Sequence, residues 1–140
     1  VKPRTRFLGW REDAASLIAS GDIFICPSRL EPLGNVVLEA WAQATPVIAA
    51  NSSGPAALIK DNETGILFPV DDVLALAAAI KDLLKDVGKR SRIARRGHQS
   101  FKKKYTEKNI VAKYLEFFQS VAPEVDSDLN NISEHEVRKS

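Results

Sequence analysis

The chain has 140 residues, 44% hydrophobic and 27% charged, with a net charge of +2, one cysteine and no methionine. This is one domain's worth of ordinary soluble composition, with no apolar run near the roughly 18 residues of a membrane span and no basic-then-apolar leader. A lone cysteine excludes an intramolecular disulfide and fits a reducing cytoplasm, and the small net charge conceals a basic stretch from Lys89 to Lys108 and an acidic-leaning end beyond Pro123.

In chain order, Thr5 to Leu8 followed by Gly9 reads as a short strand. Glu12 to Ser20, with Ala14, Ala15, Leu17, Ile18 and Ala19, has helical spacing and stops at Gly21. Asp22 to Cys26 is the next strand, with Cys26 as a small buried hydrophobe. Pro46 to Ala50 and Gly65 to Phe68 are two more, each short, apolar and bounded by turn residues. Helices are expected over Gly34 to Ala44 and over Pro55 to Lys60, the latter with Pro55 at its first position. Alternating strands and helices, with apolar runs continuous along each strand, predict an α/β fold. Its parallel, partial Rossmann-like sheet would have about four strands and be covered on both faces. From Asp71 the pattern is helical only: 72–86, capped by Asp71 or Asp72, then 89–104 and 106–121. The expected organisation is one domain over 1–121 and a polar, disordered tail over 122–140.

The chemistry concentrates in "PSRLEPLGNVVLEAWAQATPVIAA", residues 27 to 50. Pro32 biases Glu31 toward extended backbone, which places it in the strand-to-helix loop. The helix that follows carries Val36, Val37, Leu38, Ala40, Trp41, Ala42 and Ala44 at nearly every angle and reads as buried on most sides, with Glu39 as the exception. A buried carboxylate needs donors from protein, water or a ligand. Gly34 permits close approach of a ligand, and the first-turn amides from Gly34 through Val37 are expected to aim out of the loop as an anion site. The competing structural reading is a capped helix whose Glu39 meets a buried arginine or backbone group. A glycosidase-like pair fits poorly, because eight helical residues separate the carboxylates by about 12 Å, beyond the roughly 5 to 9.5 Å such pairs use.

That stretch, together with "SSGPAALI" and "NETGILFPVDD", resembles the donor-binding half of the group 1 retaining glycosyltransferases of the GT-B fold, over about Thr5 to Asp72. Glu31 and Glu39 match the family's Glu-x7-Glu motif. The resemblance implies that Glu39 binds the ribose hydroxyls of a nucleotide-sugar donor and that Glu31 is the catalytic-site carboxylate beside the transferred sugar. It also implies that amides around Leu33, Gly34 and Asn35 meet the sugar and those of Val36 and Val37 the phosphate. Gly9, Trp10 and Arg11 would hold the base, with Ser28 and Arg29 flanking the cleft; a surface loop with a packed tryptophan and a solvated Arg29 are the structural alternatives. The implied reaction moves a sugar from a nucleotide diphosphate to an acceptor hydroxyl with retention, the leaving diphosphate being stabilised by a helix start and cationic side chains. No cofactor and no metal are expected, since residues 1–121 lack an Asp-x-Asp (Asp126-Ser127-Asp128 falls in the polar tail), a His cluster or Cys spacing for a metal site, and His98 and His135 stand outside the α/β core.

Implied partners are the nucleotide-sugar donor, a saccharide or lipid-linked acceptor, and an N-terminal acceptor domain that these residues do not supply. Cell-envelope polysaccharide or lipopolysaccharide synthesis is the expected setting. In the family's 3-2-1-4-5-6 strand order, "TRFLG" is similar to strand three and "DIFICP" to strand four, so two strands expected between them are missing. Three expectations follow: the chain is a piece of a longer enzyme, its strands pair differently, or another chain fills the gap. Ala44 stands where the family usually ends the helix with glycine, and Ala57 replaces a frequent glutamate. The basic helix Lys89 to Lys104 has no aromatic platform beyond Phe101 and Tyr105, which argues against nucleic acid and leaves a solvated face as the ordinary reading of such charge; the family resemblance, through lipid-linked acceptors, implies peripheral contact with the cytoplasmic face of a membrane. The alternative from another class is a non-catalytic nucleotide-binding or scaffolding remnant.

Overall fold

The computed structural model describes residues 4–122, which fall into two compact units, one up to Lys103 and one from Lys104 onward. The first unit alternates α1 (Ala14–Ser20), β1 (Phe24–Cys26), α2 (Asn35–Ala42), β2 (Val47–Ala50), α3 (Ser53–Leu58) and β3 (Ile66–Phe68). It continues into α4 (Val73–Lys85) and α5 (Val87–Lys104). The strands lie side by side in the order β1-β2-β3, all parallel, with Phe24 opposite Val47 and Ile48 opposite Ile66. Parallel neighbours cannot be joined by a tight turn, so a helix returns the chain between each pair.

β2 is buried along its whole length, because helices cover both faces of the sheet. Side chains alternate across a strand. Ile48 and Ala50 therefore join Ile66, Phe68, Leu83 and Ile93 in one cluster, packed by Leu76, Ala79 and Ile80 of α4. On the opposite face α2 packs on β1 and β2, and its Val37, Ala40 and Trp41 are fully buried. Asp72 caps α4 as expected, its side chain accepting the Ala75 amide at 2.8 Å.

The sheet has three strands where four were expected. Residues 5–8 are not a strand, and Phe7 is 96% exposed. An isolated strand leaves its backbone groups without partners, and among the described residues no strand runs alongside this segment. Pro55 is the third helical residue of α3 rather than the first, still within the turn whose amides need no intrahelical partner. The tail expected from residue 122 lies, from 123 on, outside the described residues, as does His135.

In the second unit, α6 (Glu107–Val121) starts at Thr106, whose hydroxyl accepts the Asn109 amide at 3.4 Å. No residue of α6 is buried, and Tyr114 and Phe118 stack with ring centroids 6.3 Å apart. Among the described residues no helix is long and apolar enough to cross a membrane.

The end of α2 is tied down at several points. Trp41 donates its indole N–H to the Thr64 carbonyl at 3.0 Å, and His98 Nδ1 lies 2.8 Å from the Trp41 carbonyl. Gly97 of α5 faces the same indole, and a Cβ there would meet Trp41 Nε1 at 2.6 Å. His98, expected to stand apart from the α/β core, thus bonds directly to the helix that carries Glu39.

Beyond Trp41 the chain closes with Thr45 N–H bonded to the Ala40 carbonyl and Ala44 N–H to that of Trp41, both at 3.0 Å. This is the Schellman pattern, which puts residue 44 in the left-handed region, and Ala44 has φ 55°. A Cβ in that conformation costs on the order of 1 kcal/mol. Ala44→Gly is therefore expected to raise stability by about 1 kcal/mol. In urea unfolding followed by circular dichroism, the midpoint should rise at unchanged slope; an unchanged or lowered midpoint rejects strain at Ala44.

Candidate functional site

The loops leaving the carboxyl ends of the three strands carry the candidate residues, where open α/β sheets bind ligands. The first loop, 27–34, holds Glu31. Its carboxylate Oε1 accepts the Gly34 amide at 2.9 Å, and its main-chain carbonyl accepts the Gly54 amide, from the first turn of α3, at 2.7 Å. Glu31 is half-buried. Gly34 caps α2 in the left-handed conformation, φ 74°, ψ 24°, which glycine adopts at no steric cost.

The amides at this helix start divide into two sets. Gly34 is committed to Glu31, and Val37 donates to the Gly34 carbonyl at 2.9 Å. Those of Leu33, Asn35 and Val36 form no hydrogen bond within the described residues. The expectation that all four amides from Gly34 through Val37 point outward is thus corrected to a smaller set. The reason is that the Glu31 side chain doubles as the helix cap.

Glu39 is exposed, against the expectation of a buried carboxylate. At 100° per residue, Val37, Ala40 and Trp41 set the inward face, and Glu39 falls on the opposite side together with Asn35. The helix is buried along that one stripe rather than all round, because only one of its sides meets the sheet.

Trp10 is 92% exposed, and Gly9 before it has φ 65°. Arg11 pairs with Asp13, the Arg11 Nε donating at 2.7 Å, and the guanidinium holds that carboxyl below its usual range. Gly9, Trp10 and Arg11 thus form an open surface segment, and the tryptophan is not packed. Ser28 is half-buried, and its hydroxyl accepts the thiol of Cys26, itself 4% exposed, at 3.7 Å. Arg29 is exposed, as the solvated reading had it, yet its Nε donates to Asp71 at 2.6 Å across the mouth of the sheet. Asp71 sits at φ 65°, a left-handed residue in the loop after β3. Sequence spacing could not have paired these two, since they leave different strands.

Ser52 is the residue that sequence reasoning missed. It stands at the N-cap of α3, 7% exposed, and its hydroxyl has no partner. An N-cap side chain normally accepts from the second or third helical amide. Here the second, Gly54, is taken by the Glu31 carbonyl, and the third, Pro55, has no N–H. The signal in the sequence is the proline three residues after the serine.

Residues 1–86 match the family described as "Glycosyl transferases group 1". Among curated relatives, the lipopolysaccharide core biosynthesis glycosyltransferase LpsE of Rhizobium meliloti (strain 1021) is 38% identical over 120 residues, 86% of this chain and 35% of that protein. Among solved structures, Anabaena HepE in complex with UDP is similar with a TM-score of 0.82 at 28% identity, covering 85% of this chain and 33% of that one. The same protein in complex with UDP-glucose gives 0.77 at 28% identity, over 84% and 32%. The chain spans about a third of the length of the relatives it matches.

The arrangement at Ser52 reverses the usual rule for a capping serine. Ser52→Ala, which removes an unpartnered buried hydroxyl, is expected to raise stability by about 1 kcal/mol or more, while Asp72→Ala, which removes a working cap, should cost about 1 kcal/mol. Parallel urea titrations compare the two; equal losses would mean that the Ser52 hydroxyl is partnered after all.

Proposed function

The chain belongs to the group 1 glycosyltransferase family, and from that premise we propose that it carries the donor-binding part of a retaining GT-B enzyme that moves a sugar from a nucleotide diphosphate to an acceptor hydroxyl. The observation that carries this reading is the set of unpartnered amides of Leu33, Asn35 and Val36. They lie at the start of α2, at the carboxyl end of a parallel sheet, with Glu31 held beside them. Unpaired amides at a helix start attract anions, and a diphosphate is the anion that a nucleotide sugar presents. The UDP and UDP-glucose in the Anabaena complexes support this class of donor.

In this reading the amides of Asn35 and Val36 take the diphosphate and that of Leu33 the sugar. The amides of Gly34 and Val37 serve the helix instead. Glu31 is the catalytic carboxylate facing the transferred sugar, and its bond from Gly34 holds it in place. Glu39, exposed on the face it shares with Asn35, accepts hydrogen bonds from the ribose hydroxyls; a neutral diol paired with a carboxylate makes two charge-assisted bonds. Gly9, Trp10 and Arg11 offer an open tryptophan face for the base, and Ser28 borders the cleft. Charge developing on the leaving diphosphate is stabilised by fixed dipoles that need no reorganisation.

Titration of the 140-residue chain with UDP, followed by amide resonances, tests the donor site. Weak binding that falls about tenfold or more in Glu39→Ala is the expected result, since a charge-assisted pair of hydrogen bonds is lost. No binding at millimolar UDP would sink the reading in favour of a non-catalytic remnant.

A cytoplasmic enzyme that meets the inner face of the membrane is the second part of the proposal, together with a saccharide or lipid-linked acceptor. It rests on α5, which carries Lys89, Arg90, Arg92, Arg95, Arg96, Lys102, Lys103 and Lys104 and no acidic residue. Lys89 and Arg90 are paired with Asp82 and Asp22, whereas Arg92, Arg95 and Arg96 are exposed and have no ion-pair partner among the described residues. These three share one helix face at spacings of three and four. Cosedimentation with phosphatidylglycerol vesicles should retain the chain at low salt and release it near 0.5 M, where the Debye length has shrunk to about 4 Å from about 30 Å at 0.01 M. Replacing all three arginines by glutamine should abolish retention; equal retention on neutral phosphatidylcholine counts against the membrane surface.

A further inference from the structure

The two glycines of the site face each other with no space between them. An ideal Cβ built on Gly54 falls against the Gly34 nitrogen, 2.6 Å from the Glu31 carbonyl oxygen and 2.7 Å from the Leu33 carbonyl carbon. A Cβ on Gly34 would in turn meet Leu58 Cδ1 at 2.7 Å and the Gly54 carbonyl carbon at 3.1 Å. Contacts under about 3 Å to backbone atoms cannot be relieved by a rotamer change, so an alanine at 54 must displace the loop that carries Glu31.

The same turn makes a directed bond to that loop. Gly54 donates to the Glu31 carbonyl at 2.7 Å, and Gly34 donates to the Glu31 carboxylate at 2.9 Å. Glu31 is therefore gripped at its main chain by α3 and at its side chain by α2. This grip forgoes a local bond, because the amide that Ser52 would ordinarily cap is the one given to Glu31. A helix start that leaves its own cap unpartnered in order to hold a residue of another loop has its geometry set by that residue.

We propose that Gly54 is a positioning residue for Glu31, fixing through its amide and its missing side chain where the carboxylate stands relative to the donor sugar. This rests on the assignment of Glu31 to the sugar given above. Pro55, buried behind Gly54, stiffens the turn by fixing its own φ.

The test is a double-mutant cycle on the 140-residue chain, with UDP-glucose and UDP as the two ligands. Gly54→Ala is expected to weaken UDP-glucose about tenfold and UDP only about threefold, because the added Cβ also crowds Gly34 and Leu33 at the start of α2. In a Glu31→Ala background its effect on UDP-glucose should fall to about the threefold seen with UDP, because the residue it positions is gone. Equal weakening of both ligands, or an undiminished effect in the Glu31→Ala background, overturns the proposal. The ligand-free protein separates this from the donor reading itself. In amide correlation spectra the Gly34 resonance should move in Gly54→Ala as it does in Glu31→Ala, and a Gly34 resonance left at its wild-type position overturns the proposal whether or not any nucleotide binds. If Gly54→Ala does not fold, Pro55→Gly loosens the turn without adding atoms. About a threefold, Glu31-dependent loss of UDP-glucose affinity is then expected, and a loss that persists without Glu31 rejects the positioning role.

Discussion

The hydrogen bond from the Gly54 amide to the Glu31 carbonyl, 2.7 Å long, is the constraint on which the site depends. It joins the loop after β1 to the turn after β2, and it requires that no side chain stand at 34 or 54. With that contact made, Gly34 can take the left-handed conformation that starts α2, and the Glu31 carboxylate can reach back to cap it. The local cost is an orphaned Ser52 hydroxyl. A buried hydroxyl without a partner is worth about 1 to 3 kcal/mol of lost stability, a size tolerated where the arrangement serves something other than folding.

The far end of α2 is held by a different kind of contact. Trp41 fills the space between the helix, the Thr64 carbonyl and Gly97 of α5, and His98 closes on the Trp41 carbonyl. Pinning both ends fixes the rotation of the helix about its axis, and that rotation decides that Asn35 and Glu39 look away from the sheet. The strained Ala44 turn immediately beyond shows that the chain reversal is imposed by these contacts, since alanine does not favour φ 55° on its own. The candidate site is thus a helix held at both ends that carries a few exposed polar groups, with the Arg29–Asp71 pair linking two of its loops at the surface.

Much of this was legible beforehand because it is local. Apolar runs of strand length separated by helical spacing placed β1, β2, β3 and α1 through α6 within a few residues, and of the two aspartates expected to cap α4, Asp71 or Asp72, it is Asp72 that does so. The motif residues Glu31, Gly34 and Glu39 were found from the incongruity of carboxylates beside an apolar helix. What misled was reading apolar content as burial. Thr5 to Leu8 has strand composition, yet a strand exists only with a neighbour, and Phe7 stands in solvent. Ala-rich α2 reads as enclosed, yet only the stripe at Val37, Ala40 and Trp41 meets the sheet.

The amino-acid sequence by itself determined the α/β class, the order of the elements, the family and the segment proposed to bear the chemistry, because periodicity, capping and turn residues act within one or two turns of the chain. Tertiary structure alone decided which amides remain available, that Glu31 is held from two sides, that Ser52 cannot cap its own helix, and that Arg29 pairs with Asp71. Each of these depends on two loops from different strands arriving within hydrogen-bond distance. That distance is set by how α2 and α3 pack on β2, a three-dimensional relation that no spacing along the chain encodes.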